Sequence, residues 1–208
     1  MLFLALASFL GGGALLYGAY RAATDGSSQD LDAVERGDVN SVTSDLGTVA
    51  RPMGDQPYRL VIEKLGVDAA VGTYGLDDRM LPQVPYQAQL VAWYNFSAEP
   101  GTGDNAVFAG HRTWNGNAVF RRIDELAIGD QVTLRYNDGR SLVYQVTASE
   151  LVDPAGEDGR SWMASSGSDA LTLITCGGEY YKTNDPIFGA DYSGRRVIRA
   201  ELVGSLPA

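Results

Sequence analysis

Ala170-Leu-Thr-Leu-Ile-Thr-Cys-Gly-Gly178 is a β-prone run that ends on the chain's single cysteine and is followed at once by two glycines. Side chains alternate along a strand with period two, so Leu171, Leu173 and Thr175 share one face and Thr172, Ile174 and Cys176 the other. Cys176 therefore stands where ordered strand gives way to loop. A thiol held there has a sheet behind it and open space in front, which is what a nucleophile requires. On position alone a small buried hydrophobe is an equally good assignment, because reduced cysteine is among the most buried residue types.

The chain also has one histidine, in Asn105-Ala-Val-Phe-Ala-Gly-His-Arg-Thr113. Here too a short apolar run ends on the reactive side chain. Val107, Ala109 and His111 share a face if this is a strand, and Gly110 leaves room for a close neighbour. Alone, such a histidine is more often a hydrogen-bonded structural imidazole than a catalyst. A third stretch, Tyr192-Ser-Gly-Arg-Arg-Val-Ile-Arg-Ala-Glu-Leu-Val203, reads as a strand opened by Gly194. Arg195 stands at its mouth, on the face of Val197 and Arg199, with a fork of donors suited to an oxyanion. An isolated strand-end arginine is more often a solvated charge, and a one-residue slip in register would put Arg196 in its place.

Together the three stretches resemble the sortases of Gram-positive and related bacteria. Thr172-Leu-Ile-Thr-Cys176 matches their TLxTC motif, and Ala109-Gly-His-Arg-Thr113 matches the stretch around their catalytic histidine. The resemblance runs roughly from Tyr58 to Val203, and the joint motif is far more specific than any residue in it. It implies an all-β fold, a sortase-like closed barrel of about eight strands with one or two short helices. It further implies a membrane-anchored cysteine transpeptidase. Such enzymes cleave an LPxTG-like C-terminal sorting signal and join the new carboxyl end to an amine of cell-wall precursor or pilin. The implied roles are Cys176 as the nucleophile that forms a thioester and Arg195 as clamp on oxyanion and substrate backbone. His111 would be the acid for the leaving amine and then the base for the incoming one. Thr113, Thr175, Trp114 and Trp162 are the candidates for substrate binding, although ordinary packing explains both tryptophans equally well. No cofactor is implied. Nor is a metal site apparent, since one His and one Cys cannot complete a zinc shell without carboxylates from unmarked positions. The short chain shows no obvious lid or C-terminal membrane segment, which fits a housekeeping-like, class E/F-like type better than a pilin polymerase.

The 208 residues, 45% of them hydrophobic, suffice for one domain with a core plus a tail. A formal net charge of -10 argues against a nucleic-acid partner, because phosphate would be repelled. One cysteine excludes an internal disulfide. Leu2 to Tyr20 is apolar or small throughout, with no charge until Arg21. That is about long enough to cross a bilayer as a helix, and Gly11-Gly12-Gly13 is tolerated there. The rival is a cleaved signal peptide, whose apolar region is normally shorter and preceded by Lys or Arg. Three regions are expected: residues 1–22 a transmembrane anchor, 23–56 a flexible polar linker, and 57–208 the catalytic barrel. The resemblance implies a single-pass membrane protein with the catalytic domain outside the cell. A literal positive-inside count, with Arg21 after the span and nothing basic before it, points the other way.

From Tyr58 onward short β segments alternate with Gly, Pro and Asp. Arg59 to Leu65 and Val67 to Tyr74 read as strands around a bend at Gly66, followed by a strand over Leu90 to Tyr94. Val119, Phe120, Ile123 and Leu126 at helical spacing predict a short helix over Asn117 to Leu126. Gln131 to Tyr136 and Ser141 to Val152 flank Asn137-Asp138-Gly139, a hairpin for which Asp-Gly predicts a type I′ turn. Asp153-Pro-Ala-Gly-Glu-Asp-Gly159 is acidic. A solvated loop is the expectation, since calcium needs six or more oxygens and only a few are visible.

At their ordinary pKa values, cysteine and histidine would leave only about 3% thiolate at pH 7. Activity then rests on that minor form or on local shifts. Two other readings stand beside the transpeptidase: a thiol hydrolase with water as acceptor, and a membrane-tethered β module that only binds a surface partner.

Overall fold

The computed structural model describes residues 49–208 apart from 79, 81, 114–117, 154–160 and 183–189. The apolar run Leu2 to Tyr20, the linker up to residue 48, Trp114 and most of the acidic loop after Asp153 lie outside the described residues. No helix among the described residues is long and apolar enough to cross a membrane.

Among the described residues there are ten strands: β1 (Val49–Ala50), β2 (Asp55–Ile62), β3 (Val67–Tyr74), β4 (Val84–Pro85), β5 (Val91–Tyr94), β6 (Asn105–Ala109), β7 (Gln131–Tyr136), β8 (Ser141–Val152), β9 (Ala170–Lys182) and β10 (Ala190–Leu206). Eight of them close into a barrel in the order β10-β8-β7-β2-β3-β5-β6-β9, while β1 and β4 pair as a separate two-stranded sheet. Closure removes the unpaired edges that an open sheet would expose. The fold is thus the all-β closed barrel of eight strands that the sequence predicts.

The period-two pattern sorts the side chains. Leu60, Val71, Phe108, Leu134, Leu173 and Ile198 belong to one apolar cluster that fills the interior. Burying each such side chain stabilises the fold by roughly 1.5–3 kcal/mol. A second cluster lies on the outer face of β5, β6, β9 and β10, formed by Ala92, Tyr94, Val107, Ala109, Ile174 and Val197. Ala50, Val152, Trp162 and Met163 pack over it.

Gly66 closes the Glu63–Leu65 3-10 turn in the left-handed region, at φ 67°, which explains the bend between β2 and β3. Two local expectations are refined. Over residues 118–126 the chain forms successive turns and one three-residue 3-10 helix, Ile123–Glu125, in place of an α-helix. Val119, Phe120, Ile123 and Leu126 are all buried, so the spacing reports burial. A segment this short cannot offset the cost of helix nucleation. In the β7–β8 hairpin, Gly139 has φ 93° but Asp138 does not enter the left-handed region. The Gly139 amide donates to the Tyr136 carbonyl (3.1 Å) and the Tyr136 amide to the Arg140 carbonyl (2.8 Å). That is a type I turn followed by a glycine bulge, the three-residue alternative to type I′.

Candidate active site

Three neighbouring strands bring the predicted residues to one end of the barrel. β9 pairs with β10 antiparallel, with Cys176 opposite Arg195, Ile174 opposite Val197 and Thr172 opposite Arg199. Directly paired residues project to the same face, so Cys176 and Arg195 share the outer face that Ile174 and Val197 pave. Arg196 is paired with Thr175 and belongs to the other face, so Arg195 is the one of the two that shares the face of Cys176. β6 runs parallel to β9, with Ala109 beside Ile174. The ladder continues past the strand end, because the Gly110 amide donates to the Ile174 carbonyl at 3.1 Å. The Thr175 hydroxyl donates to the Gly110 carbonyl at 2.7 Å. His111 is thereby delivered alongside Cys176.

Two glycines make this convergence possible. A Cβ on Gly110 would lie 2.7 Å from Val119 and Phe120 side-chain carbons, so the turn segment can close over the histidine loop only if that position is bare. A Cβ on Gly177 would lie 2.6 Å from the Arg196 amide nitrogen. Just beyond, a register shift between Tyr192 and Gly194 bends the β9–β10 ribbon, as bulges do where a strand must re-aim its side chains.

Cys176 is half-buried and lies outside the packed interior. His111 and Arg195 are buried, each about 5% exposed. The Arg195 Nη1 donates to the Gly194 carbonyl at 2.9 Å. The His111 Nε2 stands 2.6 Å from the Pro85 carbonyl oxygen. A carbonyl only accepts, so Nε2 carries the hydrogen and Nδ1 holds the lone pair of the neutral ring. Burial pushes the His111 pKa down to about 4, against the opposing pull of the Pro85 carbonyl. The imidazole is therefore neutral at pH 7.

The remaining candidates are dispersed. Thr175 is buried on the face opposite Cys176 and spends its hydroxyl on Gly110. Thr113 is exposed and its hydroxyl accepts from the Tyr192 hydroxyl at 3.3 Å, tying the histidine loop to the hairpin beyond Arg195. Trp162 is half-buried at the far end of the outer face, where the Arg199 guanidinium sits 5.3 Å from its ring centre. Its carbonyl accepts from Asn105 Nδ2 (2.9 Å) and Arg199 Nη2 (3.0 Å). Trp114 lies outside the described residues. Pro85 is a participant that the sequence did not reveal, because what it contributes is a backbone oxygen. Among the described residues no group of three or more His, Cys, Asp or Glu is gathered where a metal ion could be held.

A half-buried thiol on the outside of a closed eight-stranded barrel, in register with a buried arginine and next to a neutral histidine, suits acyl transfer by a cysteine nucleophile. Residues 60–203 match the family model of the sortase domain. The chain therefore belongs to the sortase family and is a sortase-type cysteine transpeptidase. Solved structures agree on the fold. The SrtA sortase of Actinomyces oris is similar at 24% identity and TM-score 0.56, covering 76% of this chain and 84% of that one. Sortase E1 of Streptomyces coelicolor, solved with a tripeptide in its active site, gives 22% identity and TM-score 0.54 over 76% and 94%. The Sortase D5 transpeptidase of Clostridium perfringens gives 24% and 0.51 over 71% and 78%. Comparison with curated proteins finds no match.

Proposed function

We propose that this sortase is anchored by the apolar run Leu2 to Tyr20 and works on the outer side of the membrane. There it cleaves an LPxTG-like sorting signal through a thioester on Cys176 and passes the acyl group to an amine of cell-wall precursor or pilin. The observation that carries this reading is the direct pairing of Cys176 with Arg195 on the outer face, with His111 beside them.

The thiol proton passes to Nδ1 of the neutral His111 as the sulfur attacks the scissile carbonyl carbon. The guanidinium of Arg195 stabilises the oxyanion that forms. As the tetrahedral species collapses, the C–N bond breaks and the imidazolium returns its proton to the departing amine. The incoming amine then loses a proton to His111 and attacks the thioester carbon, the C–S bond breaks, and the sulfur leaves as the thiol. Each proton taken is returned, so no co-reactant is needed. With His111 held neutral, the imidazolium is a high-energy species that exists only in company with developing negative charge. Thr175 acts as a positioning residue through Gly110, and Trp162 and Met163 pack against the outer apolar cluster.

The test is product analysis of the full chain with a sorting-signal peptide and an oligoglycine amine. A ligated peptide is expected, none of it with Cys176→Ala. Ligation undiminished in that variant rejects the reading. Hydrolysis unaffected by the amine would make the protein a thiol hydrolase.

A further inference from the structure

The Pro85 carbonyl that holds His111 belongs to β4, a strand of two residues that pairs, among the described residues, with β1. The pairing is parallel, Val49 beside Val84 and Ala50 beside Pro85. In a parallel ladder one residue of each pair directs both its amide and its carbonyl to the partner strand, and its opposite number directs neither. Proline has no amide to offer, so Pro85 is the member that faces away, and its carbonyl is left for the imidazole. Ala50 is then the residue whose amide and carbonyl reach across to β4.

The same segment is fastened at its other end. The Met53 amide donates to the Thr73 carbonyl (2.8 Å) and the Thr73 amide to the Gly54 carbonyl (2.7 Å). A Cβ on Gly72 would lie 2.6 Å from Pro52 Cβ, so the segment lies flat against β3 there. Ala50 packs on the outer apolar cluster, which includes Ile174 and Val197, the next residues on the same face as Cys176 and Arg195. Residues 49–54 thus form a strap from β3 to β4. On the other side of β4, the Gln83 amide donates to the Gly75 carbonyl at 2.9 Å. Those bonds fix the approach to Pro85 but not the residue itself.

We infer that this strap is a positioning element of the catalytic site, with the Ala50 backbone holding Pro85 so that its carbonyl fixes the tautomer and orientation of His111. The inference rests on the reading of His111 as proton carrier. A proton acceptor displaced by about 1 Å costs on the order of a hundredfold in rate, so a partial loosening is expected to be visible in turnover.

Because the chain has one histidine, labelling histidine with 15N in the full chain gives one pair of ring signals, whose separation reports the Nε2–H tautomer. Ala50→Pro removes the amide that faces β4. The expected result is a fall in kcat of about tenfold or more with KM within about twofold, and ring signals that move together as the fixed tautomer is lost. Ala50→Gly keeps the amide and is expected to disturb the ring signals and kcat less than Ala50→Pro does. If Ala50→Pro does not fold, the double variant Arg51→Gly, Pro52→Gly loosens the strap without deleting a donor and is expected to shift signals and kcat in the same direction, by a smaller amount. Ring signals unchanged in a folded Ala50→Pro or double-glycine chain overturn the inference, whatever happens to kcat. The ring signals do not depend on turnover, so a His111→Gln chain that kept full activity would reject the proton-carrier role while leaving the strap's hold on the ring measurable.

Discussion

Leu171 and Leu173 point from β9 into the barrel and are fully buried among apolar side chains, whereas Thr172, Ile174 and Cys176 point outward from the positions between. On the inner face the neighbours are Phe108, Ile198 and their like, and what matters is volume. On the outer face particular polar atoms are bound in pairs: the Thr172 hydroxyl to Asn105 Oδ1 at 2.7 Å, and the His111 Nε2 to the Pro85 carbonyl. The two faces alternate residue by residue along one strand. They can therefore be separated by mutation, with damage to stability on one side and to chemistry on the other.

The largest effect expected is on the outer face. His111→Gln removes the proton carrier and should lower kcat/KM by roughly 10²–10⁴, measured by peptide ligation, while near-ultraviolet circular dichroism shows the fold retained. A loss below tenfold would break the separation. On the inner face, Leu173→Ala should cost roughly 2–5 kcal/mol in urea unfolding while activity per folded molecule stays near wild type. Loss of activity without loss of stability would show that the interior also shapes the site.

His111 itself crosses the division, since it is a chemical group buried like an apolar one. Its pKa is about 4 in the folded chain against an ordinary 6.5, so between those values the unfolded chain binds a proton that the native state refuses. Its contribution to stability is therefore fully present above about pH 6.5 and lost as pH falls to about 4, a change on the order of 3 kcal/mol. Urea unfolding of wild type and His111→Gln across that range checks this, and the variant should lack that part of the acid destabilisation. The smallest effect belongs to neither face. Arg59 and Asp68 form a 2.5 Å ion pair in solvent, and Arg59→Ala should change stability by about 0.5 kcal/mol or less.

Much of this division is legible in the sequence because it is local. Period-two alternation assigns Leu173 and Cys176 to opposite faces, and Gly66 marks its own bend. Closure of the barrel is not local: the parallel pairing of β6 with β9, which places His111 beside Cys176, joins segments more than sixty residues apart. The choice between Arg195 and Arg196 likewise needs the register of β10 on β9, since one residue of slip exchanges them. Helical spacing over residues 119–126 tracks which side chains are buried but is too short to decide the backbone that buries them. The Pro85 carbonyl and the strap behind it leave no mark on residue type at all, because their contribution comes from main-chain atoms.

The most direct test of the central claim is intact-mass analysis of the full chain quenched within the first turnovers on a sorting-signal peptide. The expected result is a mass increase equal to the acyl fragment, mapped to Cys176, that disappears when the amine acceptor is added and never forms with Cys176→Ala. Peptide cleavage with Cys176 unmodified throughout, or the same adduct rate in a folded His111→Gln chain, would contradict it.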